Sequence, residues 1–372
     1  MRHVPELVAL DMPVGARFIE RVRSAWEQGD AVAPLDQRLS PRAKERLITA
    51  IRPTRLATES SEQALPDGEP VETGDALVVT TSGSLGVPKA VVHTHDSIRA
   101  ALRAGAERLA LHGNEHWLLC IPAAHVGGFL LVARHIIDGN ALTVHDRFEP
   151  AAVTSTARAG ATHVSLVATA LQRIDPALFA RILLGGAAAP PSLPPNVTVT
   201  YGMTETMGGC VYDGRALSGV DIVLRDDEIF VKGPMLMRSY REGPLPLTPD
   251  GYLPTGDLGS WKDSGVLAVH GRRGDLIISG GEKIWPTAVE SALTGHPHVR
   301  ECAVRGVEDA QWGQRVVAWI VADDAPPTLE DIRSWVKDTL PPYCAPREIR
   351  LVDALPRTAL GKIDGVALRA LR

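Results

Sequence analysis

Cysteine is scarce in this sequence, and the cysteines it has are not grouped. The four cysteines, Cys120, Cys210, Cys302 and Cys344, stand far apart, and no two of them form a C-x-x-C pair. This spacing argues against a cysteine-based zinc site and against a disulfide framework. It is typical of a protein of the reducing cytoplasm.

An excess of charge of one sign and long apolar runs are also missing. The formal net charge is −5, and the basic residues are scattered among acidic ones, which argues against a nucleic-acid surface or a basic membrane patch. The longest apolar stretch, residues 118–133, contains Pro122 and His125 and is too short to span a membrane. The first residues lack a basic segment followed by an apolar core, so we expect no secretory signal. Small molecules are the expected partners, and the oligomeric state is left open.

Apolar patterning predicts the fold class. Between about residues 76 and 206, short apolar runs alternate with helical patterns, which predicts a mostly parallel sheet covered by helices. From about residue 218 to 270, short strands with turn signals predict an antiparallel, β-barrel-like region. Strands and helical patterns follow to the end of the chain.

The length of 372 residues favours a large domain plus a smaller one. We place the boundary after Arg272, in an Arg-Arg-Gly segment with the composition of a linker. The prediction is an α/β protein with a large domain at residues 1–272 and a smaller, mobile α+β domain at residues 273–372.

Residues 80–89, TTSGSLGVPK, form a glycine- and hydroxyl-rich stretch after an apolar run. A P-loop needs Gly, four residues, then Gly-Lys and Ser or Thr, so that backbone N–H groups surround a phosphate. Counting from Gly83, Pro88 and Ala90 stand in the second glycine and hydroxyl positions, and Lys89 alone is in register. A kinase-type P-loop is therefore excluded, and the stretch by itself is typical of a turn.

Six short segments carry more information together than any of them alone. In chain order they are TTSGSLGVPK, GGAAAP, YGMTET, PTGDLG, GRRGDLIISGG and LPRTALGKID. This series resembles the adenylate-forming superfamily of acyl- and aryl-CoA synthetases, peptide-synthetase adenylation domains and luciferases. The resemblance extends over roughly residues 75–365. It implies an enzyme that activates a carboxylic acid with ATP and Mg²⁺.

The resemblance also implies which residues bind the nucleotide. Residues 80–89 would hold the β- and γ-phosphates, although Leu85 stands where the family usually has a second threonine. Glu205 would be the Mg²⁺ ligand, a role that suits a hard carboxylate oxygen. The implied ATP- and AMP-binding residues are Thr81, Ser82, Gly83, Ser84, Lys89, Gly185, Gly186, Tyr201, Gly202, Thr206, Asp257 and Arg272.

Within this set, Tyr201 would lie against adenine and Thr206 would contact the α-phosphate. Gly185 and Gly186 would let the adenine approach the backbone, because glycine has no side chain. Asp257 and Arg272 would hold the ribose hydroxyls, for which an Asp carboxylate is a natural acceptor.

The last segment places Lys362 in a glycine-containing turn. An isolated lysine in such a turn is normally a surface residue, but the resemblance implies that it contacts the substrate carboxylate and the α-phosphate. The implied catalytic residues are Lys362, His125 and Thr206. Leu360 replaces the commoner Ser, Thr or Asn of this segment.

The implied reaction has two steps. A carboxylate attacks the α-phosphate of ATP and releases pyrophosphate, and CoA then attacks the acyl-adenylate and releases AMP. Positioning and electrostatics are the contribution of the protein. The small domain of this family rotates between the steps, and the implied pivot is Gly274, where an acidic residue or lysine is more usual.

The spacing of His125 and Arg134, nine residues apart in PAAHVGGFLLVAR, indicates the acid. It resembles the o-succinylbenzoate-CoA ligases of menaquinone biosynthesis. His125 would then lie near the reacting carboxylate, and Arg134 would pair with the second, aromatic carboxylate. The alternative for Arg134 is a surface arginine whose stem covers apolar neighbours.

Two other functions stay open. One is another aryl- or acyl-acid adenylating enzyme, with a different acid or a carrier-protein acceptor in place of CoA. The other is a non-catalytic nucleotide-binding protein, in which the two leucine departures would mark lost activity. The presence of Glu205, Asp257, Arg272 and Lys362 argues against that second possibility.

Overall fold

The computed structural model describes residues 3–81, 89–186, 192–357 and 363–371. The chain divides into two compact units. Unit 1 comprises Met1–Ile222 and Val231–Leu253, and unit 2 comprises Val223–Phe230 and Pro254–Arg372. The predicted fold class, α/β with a larger N-terminal and a smaller C-terminal part, is confirmed. The domain boundary after Arg272 stays a prediction.

Strands and helices alternate through most of the chain. The strands are β1 (Leu7–Leu10), β2 (Ala31–Pro34), β3 (Arg55–Ala57), β4 (Glu62–Ala64), β5 (Asp75–Thr81), β6 (Lys89–Thr94), β7 (His116–Leu119), β8 (Ala141–Val144), β9 (His163–Leu166), β10 (Arg181–Leu184), β11 (Val197–Met203), β12 (Gly208–Tyr212), β13 (Arg215–Ala216), β14 (Asp221–Arg225), β15 (Glu228–Lys232), β16 (Ser239–Tyr240), β17 (Gly243–Pro244), β18 (Leu253–Trp261), β19 (Leu267–Arg272), β20 (Ile277–Ser279), β21 (Glu282–Ile284), β22 (Val299–Asp309), β23 (Gly313–Ala322) and β24 (Glu348–Leu351). The α-helices are α1 (Ala16–Gln28), α2 (Pro41–Ile51), α3 (His95–Leu109), α4 (Val126–Asp138), α5 (Pro150–Arg158), α6 (Ala168–Leu171), α7 (Pro286–Thr294), α8 (Leu329–Lys337) and α9 (Gly365–Ala370). Short 3₁₀ turns occur at Pro176–Leu178, Thr204–Thr206, Arg273–Asp275 and Pro342–Cys344.

Unit 1 contains two sheets where the sequence predicted one. The first has the strand order β17-β16-β6-β5-β2-β1-β3-β4, and the second has the order β13-β12-β11-β10-β9-β7-β8. Both are parallel at the centre and antiparallel at an edge. The central strands β1 and β2 are buried along their full length, as expected for parallel strands covered on both faces.

The alternating apolar pattern did not predict a strand between β5 and helix α3. The strand β6 intervenes and pairs antiparallel with β5, with Thr81 opposite Lys89. Helix α3 begins directly after the β6 residues KAVVHT. The apolar run of the strand is therefore short, and apolar patterning alone does not separate it from the loop before it and the helix after it. Thr81 and Lys89 therefore lie side by side on two antiparallel neighbours of the first sheet.

Helix α4 is held at both ends by glycine. It begins after His125 and ends at Gly139, which has a left-handed φ of 76°. At its start, a Cβ on Gly128 would lie 2.3 Å from the carbonyl oxygen of Pro122, so only glycine allows the helix to approach the preceding turn so closely. This close approach fixes His125 at the first turn of the helix.

Unit 2 contains most of the short strands that the sequence predicted between about residues 218 and 270. They form an open sheet with the order β14-β15-β18-β19, so the described residues contain no closed barrel at this place. A second sheet has the order β21-β20-β23-β22, with β24 parallel to β23. Alternate residues of β23 belong to two different core clusters, one of which includes α7 and α8. Both faces of this strand are therefore buried.

In the part of the chain that the structure describes, no helix is long and apolar enough to cross a membrane.

Candidate active site

The antiparallel strands β5 and β6 carry two of the predicted phosphate-binding residues, Thr81 and Lys89. Thr81 ends β5 and is half-buried, and Lys89 begins β6 and is exposed. The Lys89 Nζ lies 5.2 Å from the centre of the Tyr240 ring. Ser82, Gly83 and Ser84 lie outside the described residues.

Glu205 lies in the short helical turn Thr204–Thr206 that follows β11. Its Oε1 accepts a hydrogen bond from the Tyr240 hydroxyl at 3.0 Å, and its main-chain oxygen accepts from the Met237 N–H at 2.8 Å. Burial, together with the charge and hydrogen bond of Glu205, raises the pKa of Tyr240 well above its usual value. The hydroxyl therefore stays protonated and donates to the carboxylate.

The surroundings of Glu205 fit a magnesium ion that is shared with a nucleotide. The described residues contain no group of three or more His, Cys, Asp or Glu that could hold a metal. Mg²⁺ normally takes one or two carboxylates and completes its shell with phosphate oxygens and water. A single carboxylate with one oxygen already oriented by a hydroxyl donor suits that arrangement.

Thr206 is placed differently from the prediction. Its side chain is fully buried, and its Oγ1 accepts from the Met203 N–H at 2.9 Å and donates to the Gly208 oxygen at 2.7 Å. The hydroxyl thus closes the turn itself, and a contact to a phosphate would break these bonds. Thr204, two residues earlier, was not among the predicted site residues. It is only half-buried and is adjacent to Glu205.

His93 connects the two sheets of unit 1 at this point. Its ring is fully buried, with Nε2 2.7 Å from the Thr204 carbonyl oxygen and Nδ1 3.1 Å from Ser97 Oγ. Desolvation lowers the pKa of His93 to about 4, although the Thr204 carbonyl opposes the shift. The ring is therefore neutral near pH 7, with the proton on Nε2 facing the carbonyl.

The predicted adenine-contacting residues lie on neighbouring strands of the second sheet. Gly185 follows β10, and Tyr201 lies in β11. A Cβ on Gly185 would lie 2.6 Å from Thr200 Oγ1, and one on Gly202 would lie 1.9 Å from the Gly208 oxygen. Both glycines are thus required by close approach within the protein. Gly186 has a φ of +83°, and residues 187–191 of its segment are outside the described range.

Asp257 and Arg272, the predicted ribose-binding pair, lie in unit 2. They are directly opposite each other on β18 and β19, and Arg272 Nε is 3.2 Å from Asp257 Oδ1. The Asp257 side chain is mostly buried, whereas the Arg272 side chain is 61% exposed. The two side chains are brought together, as predicted for residues that share one ligand group, and their role stays a prediction.

His125 contacts a buried aspartate that sequence analysis missed. Its Nε2 lies 3.8 Å from Asp36 Oδ2, and Asp36 follows strand β2 and accepts hydrogen bonds from Arg38. Burial would raise the pKa of Asp36, but the hydrogen bonds and charge of Arg38 and the charge of His125 outweigh it and lower the pKa. Asp36 follows an apolar strand, which is the signal that could have found it.

Arg134 is not a surface residue, and it is paired with a carboxylate of its own helix. It is 7% exposed, so the surface alternative is wrong. Its Nη1 lies 3.2 Å from Asp138 Oδ2, and its guanidinium lies over the Trp117 ring, 5.4 Å from the ring centre. It is also nine residues along α4 from His125, a rise of about 13 Å. The guanidinium thus already has one carboxylate partner, and the predicted pairing with a substrate carboxylate stays a prediction.

The two remaining predicted residues, Gly274 and Lys362, belong to the C-terminal part of the chain. Gly274 lies in the short turn Arg273–Asp275 after β19, and nothing lies within 4 Å of a Cβ built on it. Lys362 lies outside the described residues. Arg357 and Ile363, the described residues on either side of its segment, form an isolated antiparallel bridge.

Comparison with protein families gives two matches. Residues 52–241 match the AMP-binding enzyme family, and residues 288–362 match the C-terminal domain of AMP-binding enzymes. A probable 2-succinylbenzoate–CoA ligase of Mycobacterium tuberculosis is 39% identical over 358 residues, which cover 88% of this chain and 93% of that protein.

Solved structures give a similar result. The o-succinylbenzoate CoA synthetase MenE of Bacillus subtilis, in complex with the acyl-adenylate intermediate OSB-AMP, matches with a TM-score of 0.86 at 28% identity and covers 99% of this chain and 88% of that one. The same enzyme in complex with ATP and magnesium ion matches with a TM-score of 0.85 at 28% identity, over 99% and 89% of the two chains.

Proposed function

The chain belongs to the AMP-binding enzyme family, and from this premise we propose that it is an ATP-dependent acid–thiol ligase. Its acid is o-succinylbenzoate, its acceptor is CoA, and its products are o-succinylbenzoyl-CoA, AMP and pyrophosphate. The observation that carries the proposal is the similarity to the M. tuberculosis ligase, which extends over nearly the whole of both chains. The product assigns the enzyme to menaquinone biosynthesis.

The first step forms an acyl-adenylate. A carboxylate oxygen of the acid attacks the α-phosphorus of ATP, the bond from that phosphorus to the β-phosphate oxygen breaks, and pyrophosphate leaves. Lys89 binds the β- and γ-phosphates together with residues 80–84, and Glu205 would hold Mg²⁺. When bound, Mg²⁺ neutralises charge on the phosphate oxygens. Thr204 replaces Thr206 as the residue that contacts the α-phosphate, since the Thr206 hydroxyl is buried in its own turn.

The acid lies near the start of α4. His125 contacts the reacting carboxylate, and the Asp36 carboxylate lies near its imidazole, with Oδ2 3.8 Å from Nε2. Arg134 acts as a positioning residue for α4 through Asp138 and Trp117. Asp257 and Arg272 bind the ribose, and Tyr201 with Gly185, Gly186 and Gly202 borders the adenine.

The second step transfers the acyl group. The CoA sulfur attacks the acyl carbon, the bond from that carbon to the AMP oxygen breaks, and the thiol proton passes to solvent. Lys362 acts in the first step only, where charge develops on the α-phosphate. Gly274 is the pivot of the domain rotation between the steps, and its place in a short turn, with nothing within 4 Å of a Cβ built on it, supports this role.

The decisive experiment combines o-succinylbenzoate, ATP, Mg²⁺ and CoA and detects the thioester by mass. We expect a thioester that forms only when all four are present. Acid-dependent exchange of pyrophosphate into ATP without a thioester would instead indicate a carrier-protein acceptor. Activity with another aryl or acyl acid, and none with o-succinylbenzoate, would assign the enzyme to a different acid.

The cytoplasm is the proposed location. All four cysteines are free thiols, which is typical of a reducing compartment, and ATP and CoA are both available there. The proposed partners are the small-molecule substrates, with no nucleic acid and no membrane.

A further inference from the structure

Tyr240 lies between the two side chains that are assigned to the triphosphate and its metal. Its hydroxyl donates to Glu205 Oε1 at 3.0 Å, and Lys89 Nζ lies over its ring, 5.2 Å from the ring centre. One half-buried aromatic side chain thus contacts an anionic group at its tip and a cationic group at its face. None of the six sequence motifs contains it.

The backbone around Tyr240 is fixed on both sides. Tyr240 is paired with Val91 in the antiparallel ladder between β16 and β6, two residues from Lys89. Two residues before Tyr240, the Arg238 guanidinium binds both oxygens of the buried Asp75, at 2.7 and 2.8 Å. One residue further back, the Met237 N–H binds the main-chain oxygen of Glu205. The ring therefore has a defined position relative to both charged residues.

Opposite charges on either side of a site for a charged ligand create a specific difficulty. A lysine and a glutamate in direct contact would neutralise each other, and each would then be less available to its own part of a metal-bound triphosphate. An aromatic face attracts an ammonium group without removing its charge. A hydroxyl donor occupies one carboxylate oxygen and leaves the other for a metal.

We propose that Tyr240 is a positioning residue that keeps Lys89 and Glu205 apart and orients each of them for the metal–nucleotide complex. The hydroxyl orients the carboxylate for Mg²⁺, and the ring holds the lysine near the phosphates. The proposal rests on the ATP-binding part of the proposed function and is independent of the acid.

Two variants separate the two contributions. Tyr240→Phe removes the hydroxyl and keeps the ring, and Tyr240→Leu removes both. Tyr252→Phe is the matched control, because Tyr252 donates its hydroxyl to Asp221 and its ring also faces a lysine, Lys232. Binding of ATP and AMP is measured by calorimetry without acid or CoA, with and without Mg²⁺, and Mn²⁺ binding to the protein–ATP complex is measured by electron paramagnetic resonance.

For Tyr240→Phe we expect Mn²⁺ and MgATP to bind roughly fivefold more weakly, the effect of one lost hydrogen bond, while metal-free ATP and AMP bind as in the wild type. Tyr240→Leu is expected to weaken metal-free ATP as well, by roughly twofold to fivefold, and to leave AMP unchanged, because AMP lacks the β- and γ-phosphates. Tyr252→Phe is expected to match the wild type throughout.

The proposal is overturned if Tyr240→Phe binds Mn²⁺ and MgATP like the wild type. It is equally overturned if AMP binding falls as much as MgATP binding, since that result marks a general loss of structure. An absence of thioester from o-succinylbenzoate would contradict the proposed acid or the proposed acceptor and not this proposal, because the binding measurements use neither acid nor CoA.

Discussion

A hydrogen bond from the imidazole of His93, in β6 of the first sheet, to the carbonyl of Thr204, in the turn after β11, joins the two sheets of unit 1. The Nε2–O distance is 2.7 Å and the ring is fully buried. His93 belongs to the strand that begins at Lys89, and Thr204 directly precedes Glu205. The hydrogen bond therefore connects the strand assigned to the phosphates with the turn assigned to the metal.

The buried His93 makes the stability of the protein depend on pH. Its pKa is about 4 in the folded protein against a usual value of 6.5, so protonation favours the unfolded chain. The stabilisation is complete above pH 6.5 and is lost as the pH falls towards 4. Relative to His93→Gln, which keeps a donor but does not titrate, the wild type should lose about 2 kcal/mol between pH 7.5 and pH 5.

This difference is measured by urea unfolding of both proteins at each pH. Other titrating groups affect the two proteins alike, so the difference between them isolates His93. Equal losses in the wild type and in His93→Gln would contradict the neutral, buried histidine.

The strands and helices with long apolar patterns could be predicted from the sequence, and several of them are confirmed. They include β5, α4, β9, β11 and the β22–β23 pair, whose apolar residues are buried or partly buried in the structure. The division into two sheets could not be predicted, because apolar periodicity identifies a strand and not its partner. Strand β6 was missed for the same reason, since only its pairing with β5 distinguishes it from the loop before it.

The candidate site was predictable where a motif fixes a residue and not where tertiary contacts decide its role. Glu205 was found from YGMTET, whereas Tyr240 and Asp36 contact Glu205 and His125 from distant parts of the chain. Thr206 belongs to the same motif, but its hydroxyl donates a hydrogen bond to the Gly208 oxygen within its own turn. Short motifs specify residue types, and the direction of a side chain follows from packing.

Lys362 is expected to act in one half-reaction only. Lys362→Ala should slow formation of the acyl-adenylate by roughly 10²- to 10³-fold, the usual effect of losing one preorganised donor. Thioester formation from supplied acyl-adenylate and CoA should change little. Lys337→Ala, an exposed lysine at the end of α8, is the control. Equal losses in both half-reactions would remove Lys362 from the first step.

Gly274 is expected to matter for the second half-reaction. Gly274→Pro fixes φ at the proposed pivot and should slow thioester formation while adenylation proceeds at the wild-type rate. Gly274→Ala is the control, because a Cβ at this position meets nothing within 4 Å. Single-turnover rates of the two steps measure both effects. Wild-type rates in both steps for Gly274→Pro would exclude this residue as the pivot.

Arg134 provides the last prediction, because its surroundings argue against the role that its spacing from His125 suggested. The guanidinium is buried and paired with Asp138, which is 35% exposed. Asp138→Asn leaves a buried guanidinium without its carboxylate and should lower the free energy of unfolding by about 1 to 3 kcal/mol. Arg134→Leu leaves only a partly hydrated carboxylate and should cost less. The double variant should therefore be more stable than Asp138→Asn.

The same variants distinguish a positioning role from substrate binding. If Arg134 only supports α4, the ratio of kcat/KM for o-succinylbenzoate to that for the analogue without the aromatic carboxylate is the same in Arg134→Leu and in the wild type. A residue that binds this carboxylate would instead lower the ratio by roughly 30-fold or more, since one partner of a desolvated charge pair is lost. Because the ratio compares two substrates on one protein, a loss of stability does not alter it. A large fall in the ratio would show that Arg134 binds the aromatic carboxylate and would support the interpretation drawn from the sequence.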